Sequence, residues 1–192
     1  MDSVTKKHII TIAGQPGSGK SATSKLVAEK LDLEHFSSGD LFRRLGEERG
    51  MDVLHANQNA EKNSQIDHLV DEELRRIGRE ENNLVIDSRT AWHWMPDSFK
   101  VFLDLDFDTA AVRIASHLDE ARMASENIPA DTHEYAKQLQ ERFDSEAKRY
   151  MNLYQINPYT HSNYDLVVDT KNNNLEQVTQ IILDSYTKWL ES

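Results

Sequence analysis

The chain has 192 residues, a one-domain length, and sets 33 acidic against 22 basic residues for a formal charge of −11. That surplus argues against a protein built to coat nucleic-acid polymers or dock on anionic lipid, since both attract positive surface. With no cysteine in the chain, disulfides, thiolate nucleophiles, iron–sulfur clusters and cysteine zinc sites are excluded, and no apolar run approaches the roughly 20 residues that span a bilayer.

Met1 to Lys7 lead into too short an apolar run for a signal peptide, so a cytoplasmic protein is expected. His8-Ile9-Ile10-Thr11-Ile12-Ala13 is rich in β-branched residues and stops at Gly14, which predicts a buried strand. Ser21 to Leu31 predicts a helix with Ala22, Leu26, Val27 and Leu31 near one face. Leu33 to Phe36 reads as a second strand, and Ile66, Leu69, Val70, Leu74 and Ile77 keep helical spacing. Leu84 to Ile86 and Val101 to Leu103 are further strands, followed by a helical pattern at Ala110, Ala111, Ile114 and Leu118. Met123 to Asp131, with Pro129, is polar and irregular and reads as a mobile flap. A helix is predicted from about Thr132 to Tyr154, striped by Tyr135, Leu139, Phe143, Tyr150 and Tyr154. Leu166 to Val168 is a last strand, Lys171 to Asn174 a turn, and about Leu175 to Trp189 a closing helix with Val178, Ile181, Ile182 and Tyr186. Strand–helix alternation of this kind predicts a mainly parallel sheet with helices on both faces.

Gly14-Gln15-Pro16-Gly17-Ser18-Gly19-Lys20-Ser21 matches G-x-x-x-x-G-K-[ST] in full, directly after a strand and at the opening of a helix. In that context the glycines let backbone N–H groups curl around phosphate oxygens, and the helix N-terminus adds positive potential. Lys20 would reach the outer phosphates and Ser21 would ligate Mg²⁺. The chain is therefore expected to bind a nucleoside triphosphate. An N-K-x-D guanine motif and a D-x-x-G switch are both missing from the sequence, so a GTPase is disfavoured and a compact kinase of a small acceptor is the leading class.

Three clusters carry the acceptor side. Ser37-Ser38-Gly39-Asp40-Leu41-Phe42-Arg43-Arg44 sets a hydroxyl, a glycine and an arginine at a strand-to-helix turn, where Arg43 could hold a phosphate bidentately. Asp87 falls at the carboxyl end of a strand with Arg89 just beyond it, the place where open α/β sheets bind ligands. Asp87 could hold Mg²⁺ or accept the acceptor's proton, Arg89 could clamp its phosphate, and Trp92, His93 and Trp94 offer flat faces to a base. Arg142, Glu146 and Arg149 are spaced i, i+4, i+7, so the two arginines lie roughly 10 Å apart on one helical face. Glu146 between them is expected to orient both. The eight histidines show no metal-ligand spacing.

These residues resemble the cytidylate kinase-like branch of the nucleoside monophosphate kinases over essentially the whole chain. Gly14 to Ser21 is similar to that family's phosphate loop, and Ser38-Gly39 with Phe42-Arg43 to its S-G-x-x-[FY]-R motif. Arg89 stands where the family has the arginine of D-G-R-D, Arg142 and Arg149 match its paired lid-side arginines, and Asn163 to Thr170 resembles its last strand. The family's D-G-R-D stretch is here Asp87-Ser88-Arg89-Thr90, so a glycine and a base-contacting aspartate are replaced.

The resemblance implies a P-loop NTPase fold, α/β in three α/β/α layers, with a five-stranded parallel sheet, a small acceptor-binding segment and a lid. A single domain over 1–192 would divide into a core (1–50, 82–122, 155–192), an acceptor segment at about 51–81, and a lid with its helix at about 123–154. It implies ATP and Mg²⁺ as cofactors and small nucleotides as substrates, with no membrane or nucleic-acid partner, in a monomer. Gly14, Gly17, Ser18, Gly19, Lys20, Ser21, Ala22 and Arg113 would serve the donor. Ser38, Gly39, Arg43, Arg89, Thr90, Trp92 and Glu146 would bind the acceptor. Lys20, Asp87, Arg89, Arg142 and Arg149 would be catalytic, with Ser21 and Asp87 on the metal. CMP or dCMP is the expected acceptor. Another small phosphorylated or hydroxylated metabolite, or a non-catalytic ATP-binding module, stays open at this point.

Overall fold

The computed structural model describes residues 6–49, 60–118 and 128–192. Strand β1 (Ile9–Gly14) is buried along its whole length. Ile9 and Ala13 point to one side of the sheet while Ile10 and Ile12 point to the other. A segment apolar on both faces belongs in the middle of a parallel sheet. Indeed β1 lies between β3 (Leu84–Asp87) and β4 (Phe99–Asp104), with Ile12 opposite both Asp87 and Val101. Strand β2 (Glu34–Ser37) pairs outside β3, and β5 (Leu166–Asp169) outside β4, all in parallel. The order β2-β3-β1-β4-β5 is the expected five-stranded parallel sheet.

Helices α1 (Lys20–Leu31) and α7 (Leu175–Glu191) cover one face. Val27, Ala28, Val178, Ile182 and Tyr186 pack there on Ile10, Ile12, Val85, Val101 and Leu103. On the opposite face lie α2 (Ser38–Glu48), α3 (Ala60–Glu80) and the short α4 (Ala91–Trp94). Leu41, Ile66, Val70, Leu74 and Ile77 bury against Ile9, Leu84 and Ile86. Helices α5 (Phe107–Ala115) and α6 (Thr132–Tyr154) join through Leu105, Ala110, Ala111, Tyr135, Ala136 and Leu139. The result is three α/β/α layers.

The helical stripes of α3, α6 and α7 pack as expected, but that of α1 does so only in part. Its buried residues are Thr23, Ser24, Val27 and Ala28, whereas Ala22 is exposed. Small hydroxyl side chains can be buried here because they find backbone partners, as Ser24 does by donating to the Lys20 carbonyl at 2.7 Å. The strands run a residue or more past their apolar runs. Strands β3, β4 and β5 each end in an aspartate, Asp87, Asp104 and Asp169, along one edge of the sheet. That edge is the polar one, where the chain leaves the core.

Helix α6 begins where Asp131 accepts hydrogen bonds from the backbone N–H groups of His133 and Glu134, and it ends at Gln155 in a left-handed cap (φ 58°). Asn174 and Gln177 form a reciprocal capping box at the start of α7. Near the end of α7, Trp189 packs on Phe99 and Tyr186 at centroid distances of 5.7 and 5.9 Å, with the Lys6 ammonium over its ring. Residues 123–127 of the expected flap and 51–59 of the expected acceptor segment lie outside the described residues. Among the described residues no helix is long and apolar enough to cross a membrane.

Candidate active site

The loop between β1 and α1 sits where the sheet order reverses around β1, at the carboxyl edge. A Cβ on Gly14 would stand 2.6 Å from the Leu103 carbonyl oxygen, so only glycine lets the loop leave β1 beside β4. Gly17 (φ 73°) and Gly19 (φ 81°) take left-handed conformations. Gln15 anchors the loop sideways, donating to Asp104 at 3.0 Å and accepting from the Leu105 N–H at 2.9 Å. Helix α1 has neither a side-chain cap nor an acidic residue in its first turn, so its N–H groups face an anion without competition. The Ser18 hydroxyl is buried and has no hydrogen-bond partner among the described residues.

Lys20 Nζ lies 2.5 Å from Asp87 Oδ1, and Ser21 donates to Asp87 Oδ2 at 2.6 Å. Asp87 is 3% exposed. Burial pushes the Lys20 ammonium below its ordinary value, and Asp87 opposes that shift. Ser21 and Asp87 thus present two hard oxygen donors side by side. Among the described residues, no cluster of three or more His, Cys, Asp or Glu could hold a metal. Two protein oxygens, with the remaining positions left to water and phosphate, are the donor set Mg²⁺ prefers.

Beyond Asp87 the chain turns into α4. Arg89 reaches α6, where its Nε is 3.2 Å from Glu146, and that carboxylate holds the guanidinium firmly protonated. Glu146 also accepts a hydrogen bond from the Tyr159 hydroxyl and lies 3.7 Å from Arg149. Arg149 in turn is 3.3 Å from Asp67 on α3. Arg89, Glu146 and Arg149 therefore converge. Arg142 does not join them, which corrects one expectation. Glu146 orients Arg149 and Arg89, whereas Arg142 is exposed and has no ion-pair partner among the described residues. Residues seven apart share a side of the helix, but among the described side chains the contacts of α6 with α3 run from Arg149 to Tyr154, and Arg142 falls two turns back from them.

The turn after β2 is occupied by its own neighbours. Ser38 donates to the Asp87 carbonyl at 3.2 Å, which brings this turn against β3. Arg43 pairs with Asp40, one helical turn before it, beside Gly39. Thr90 donates to Asp71 at 3.2 Å. Trp92 donates through its indole N–H to the Arg89 carbonyl at 2.9 Å and meets Tyr164 at 5.7 Å between centroids. Trp94 donates to Asp71 at 3.0 Å and carries the Arg75 guanidinium 3.9 Å above its ring. The tryptophans are thus engaged in holding α4.

On the other side of the phosphate loop is a cavity of about 530 Å³, lined among others by Gly17, Gly19, Ala22, Arg113, Asn173 and Val178. The exposure of Ala22 follows from its place on this wall. Arg113 donates to the Thr170 carbonyl at 2.7 Å, so its guanidinium is fastened to the turn after β5 and forms a fixed side of the cavity.

Sequence reasoning missed Asp67, Asp71, Tyr154 and Tyr159. One signal was available for the first two: Ile66-Asp67 and Val70-Asp71 set carboxylates beside the residues that bury α3. For the tyrosines no local signal exists, because their partners are more than ten residues away.

Comparison with known proteins follows the same lines. Cytidylate kinase of Haloarcula marismortui is 43% identical over 166 residues, covering 84% of this chain and 80% of that protein. Cytidylate kinase of Sulfurisphaera tokodaii is 34% identical over 91% of this chain and 92% of its own length. Shikimate kinase from Aquifex aeolicus superposes with a TM-score of 0.58 over 93% of this chain and 96% of that one, at 18% identity, a likeness of fold alone. The model of the cytidylate kinase-like family matches residues 9–172, from the strand before the phosphate loop to the turn after the last strand, and to that family the chain belongs.

Proposed function

We propose that the protein is a cytidylate kinase, transferring the terminal phosphoryl group of ATP, with Mg²⁺, to CMP or dCMP. One observation carries this reading beyond family membership. The three residues Asp87 to Arg89 join two phosphate-competent clusters, with Asp87 on Lys20 and Ser21 and Arg89 on Glu146 and Arg149.

The loop N–H groups, Lys20 and Ser21 hold the donor phosphates, and the cavity beside Arg113 takes the donor base. When bound, Mg²⁺ supplies charge neutralisation on the transferred group, with Ser21 and Asp87 as its protein ligands. Arg43, Arg89 and Arg149 hold the acceptor phosphate, and Arg142, free of a described carboxylate partner, turns to the transferred phosphoryl. A monophosphate acceptor is already largely ionised near neutral pH, since the second pKa of such a group is about 6. It needs little help from a base, so Asp87 acts by aiming Lys20 and Ser21. Phosphoryl transfer then depends on alignment and on neutralising spread charge. A cleft assembled from one chain supports action as a monomer on small nucleotides.

The test is a coupled assay of ADP release over a panel of nucleoside monophosphates and small metabolites. CMP or dCMP is expected to exceed the water background by at least a hundredfold and to outrun the other acceptors. A different best acceptor overturns the substrate assignment. Lys20-dependent ATP binding with no turnover for any acceptor overturns the enzyme reading.

A further inference from the structure

Asp71 is 3% exposed, yet no ion pair reaches it among the described residues. Its carboxylate is held by three uncharged donors, two from the start and end of α4 and one from α6. The Thr90 hydroxyl and the Trp94 indole N–H share Oδ1 at 3.2 and 3.0 Å, and the Tyr154 hydroxyl donates to Oδ2. A buried carboxylate without a cation is expensive, and an apolar residue of similar size in its place commonly gives a protein at least as stable. Stability therefore gives little reason for an aspartate here.

Its connections suggest another reason. Thr90 adjoins Arg89, and Tyr154 closes α6, the helix that carries Glu146 and Arg149. Arg89 is thus restrained twice, by Glu146 through its side chain and by Asp71 through its neighbour, and both restraints end on α6. One turn earlier on α3, Asp67 meets Arg149. Arg89, Glu146, Tyr154, Asp71 and Thr90 form a closed circuit, and Asp71 is its only member on α3.

We propose that Asp71 is a positioning residue for the acceptor. It locks the turn bearing Arg89 and the helix bearing Arg149 at one separation, so that both guanidinium groups meet the same small anion. This rests on the reading of the cleft as a CMP site. Small displacements of positioning groups are costly in a reaction that works by alignment.

The experiment compares the full-length protein with Tyr154→Phe, Asp71→Asn, Asp71→Ala and the double variant Asp71→Ala/Tyr154→Phe. KM for CMP, KM for ATP, kcat and thermal melting are measured for each. Tyr154→Phe removes one hydroxyl and is expected to raise KM for CMP about fivefold with KM for ATP within twofold. Asp71→Ala should raise it more than tenfold, and Asp71→Asn, which still accepts from Thr90 and Trp94, should recover most of that loss. Adding Tyr154→Phe to Asp71→Ala should cost nothing further, because the shared bond is already gone.

An unchanged KM for CMP in Tyr154→Phe, or a rise in both KM values in step with a lower melting temperature, overturns the proposal. A wild-type protein that turns over CMP while the variants show either pattern refutes the role of Asp71 alone. A wild-type protein inactive on every monophosphate overturns the functional reading, and the positioning role with it.

Discussion

Asp67 and Arg149 face each other at 3.3 Å between α3 and α6, with the aspartate 8% exposed and its Oδ2, the oxygen toward Arg149, without a hydrogen bond among the described residues. Burial outweighs the attraction of Arg149 and pushes the Asp67 carboxyl up to about 6, from an ordinary value of 3.8. The folded state therefore holds this proton more tightly than the unfolded chain does. Its contribution to stability is full below pH 3.8 and is lost as pH rises through about 6, an effect of roughly 2 to 3 kcal/mol. In denaturant titrations, the stability of the wild type minus that of Asp67→Asn should fall between pH 4 and 6 and level off above 7. Parallel curves would falsify the assignment.

Lys20 and Asp87 carry both chemistry and stability, and the two can be separated. Lys20→Met should reduce turnover by three orders of magnitude or more, of the size seen when charge-stabilising groups are lost. It should also destabilise the protein by about 3 kcal/mol, because Asp87 is left buried with its carboxylate accepting, among the described residues, from Ser21 alone. The double variant Lys20→Met/Asp87→Asn should recover most of that stability and none of the activity. Loss of both together in the double variant would mean that Asp87 is structural in its own right.

Arg142 and Arg149 should part company in the same way. Arg142→Ala is expected to stay within about 0.5 kcal/mol of wild-type stability, as exposed substitutions do, while its single-turnover rate falls about a hundredfold. Arg149→Ala leaves Asp67 buried and unpaired. Its stability deficit should be larger at pH 8 than at pH 5, where Asp67 takes a proton. Full single-turnover rates in Arg142→Ala would remove that residue from the site.

The two left-handed glycines of the phosphate loop differ in what surrounds them. A Cβ on Gly17 would come within 3.2 Å of the Ala110 Cα, whereas the nearest atom to one on Gly19 is 4.0 Å away. Gly17→Ala should therefore cost about 1 to 3 kcal/mol and at least tenfold in ATP affinity, with Gly19→Ala at the mild end. Calorimetric titration with ATP and CMP checks this, because CMP affinity should be spared in both.

The phosphate loop was legible in sequence because its requirements are local: a strand before, a helix after, glycines where the backbone turns left. The run of α6 was legible for a similar reason, since the stripe from Tyr135 to Tyr154 spans its length; the cap at Asp131 emerged with the structure. The partners of Glu146 were not. Helical spacing joined it to Arg142, but spacing says which residues share a face and nothing about what that face meets. Contact with α3 decided it, and brought Arg89 in from 57 positions away along the chain. Asp71 escaped notice because a lone aspartate on a helix is usually solvated, and its burial follows only from how α3, α4 and α6 close together.

The three tryptophans divide between the two faces of the sheet. Trp92 and Trp94 lie on α4, one donating to the Arg89 carbonyl and the other to Asp71, while Trp189, on α7, packs half-buried against Phe99 and Tyr186. Indole emission responds to nearby charge, so the protein carries its own optical gauge of the cleft. A Trp189→Phe protein would emit only from the acceptor side, and an anion arriving at Arg89 could be followed without any label.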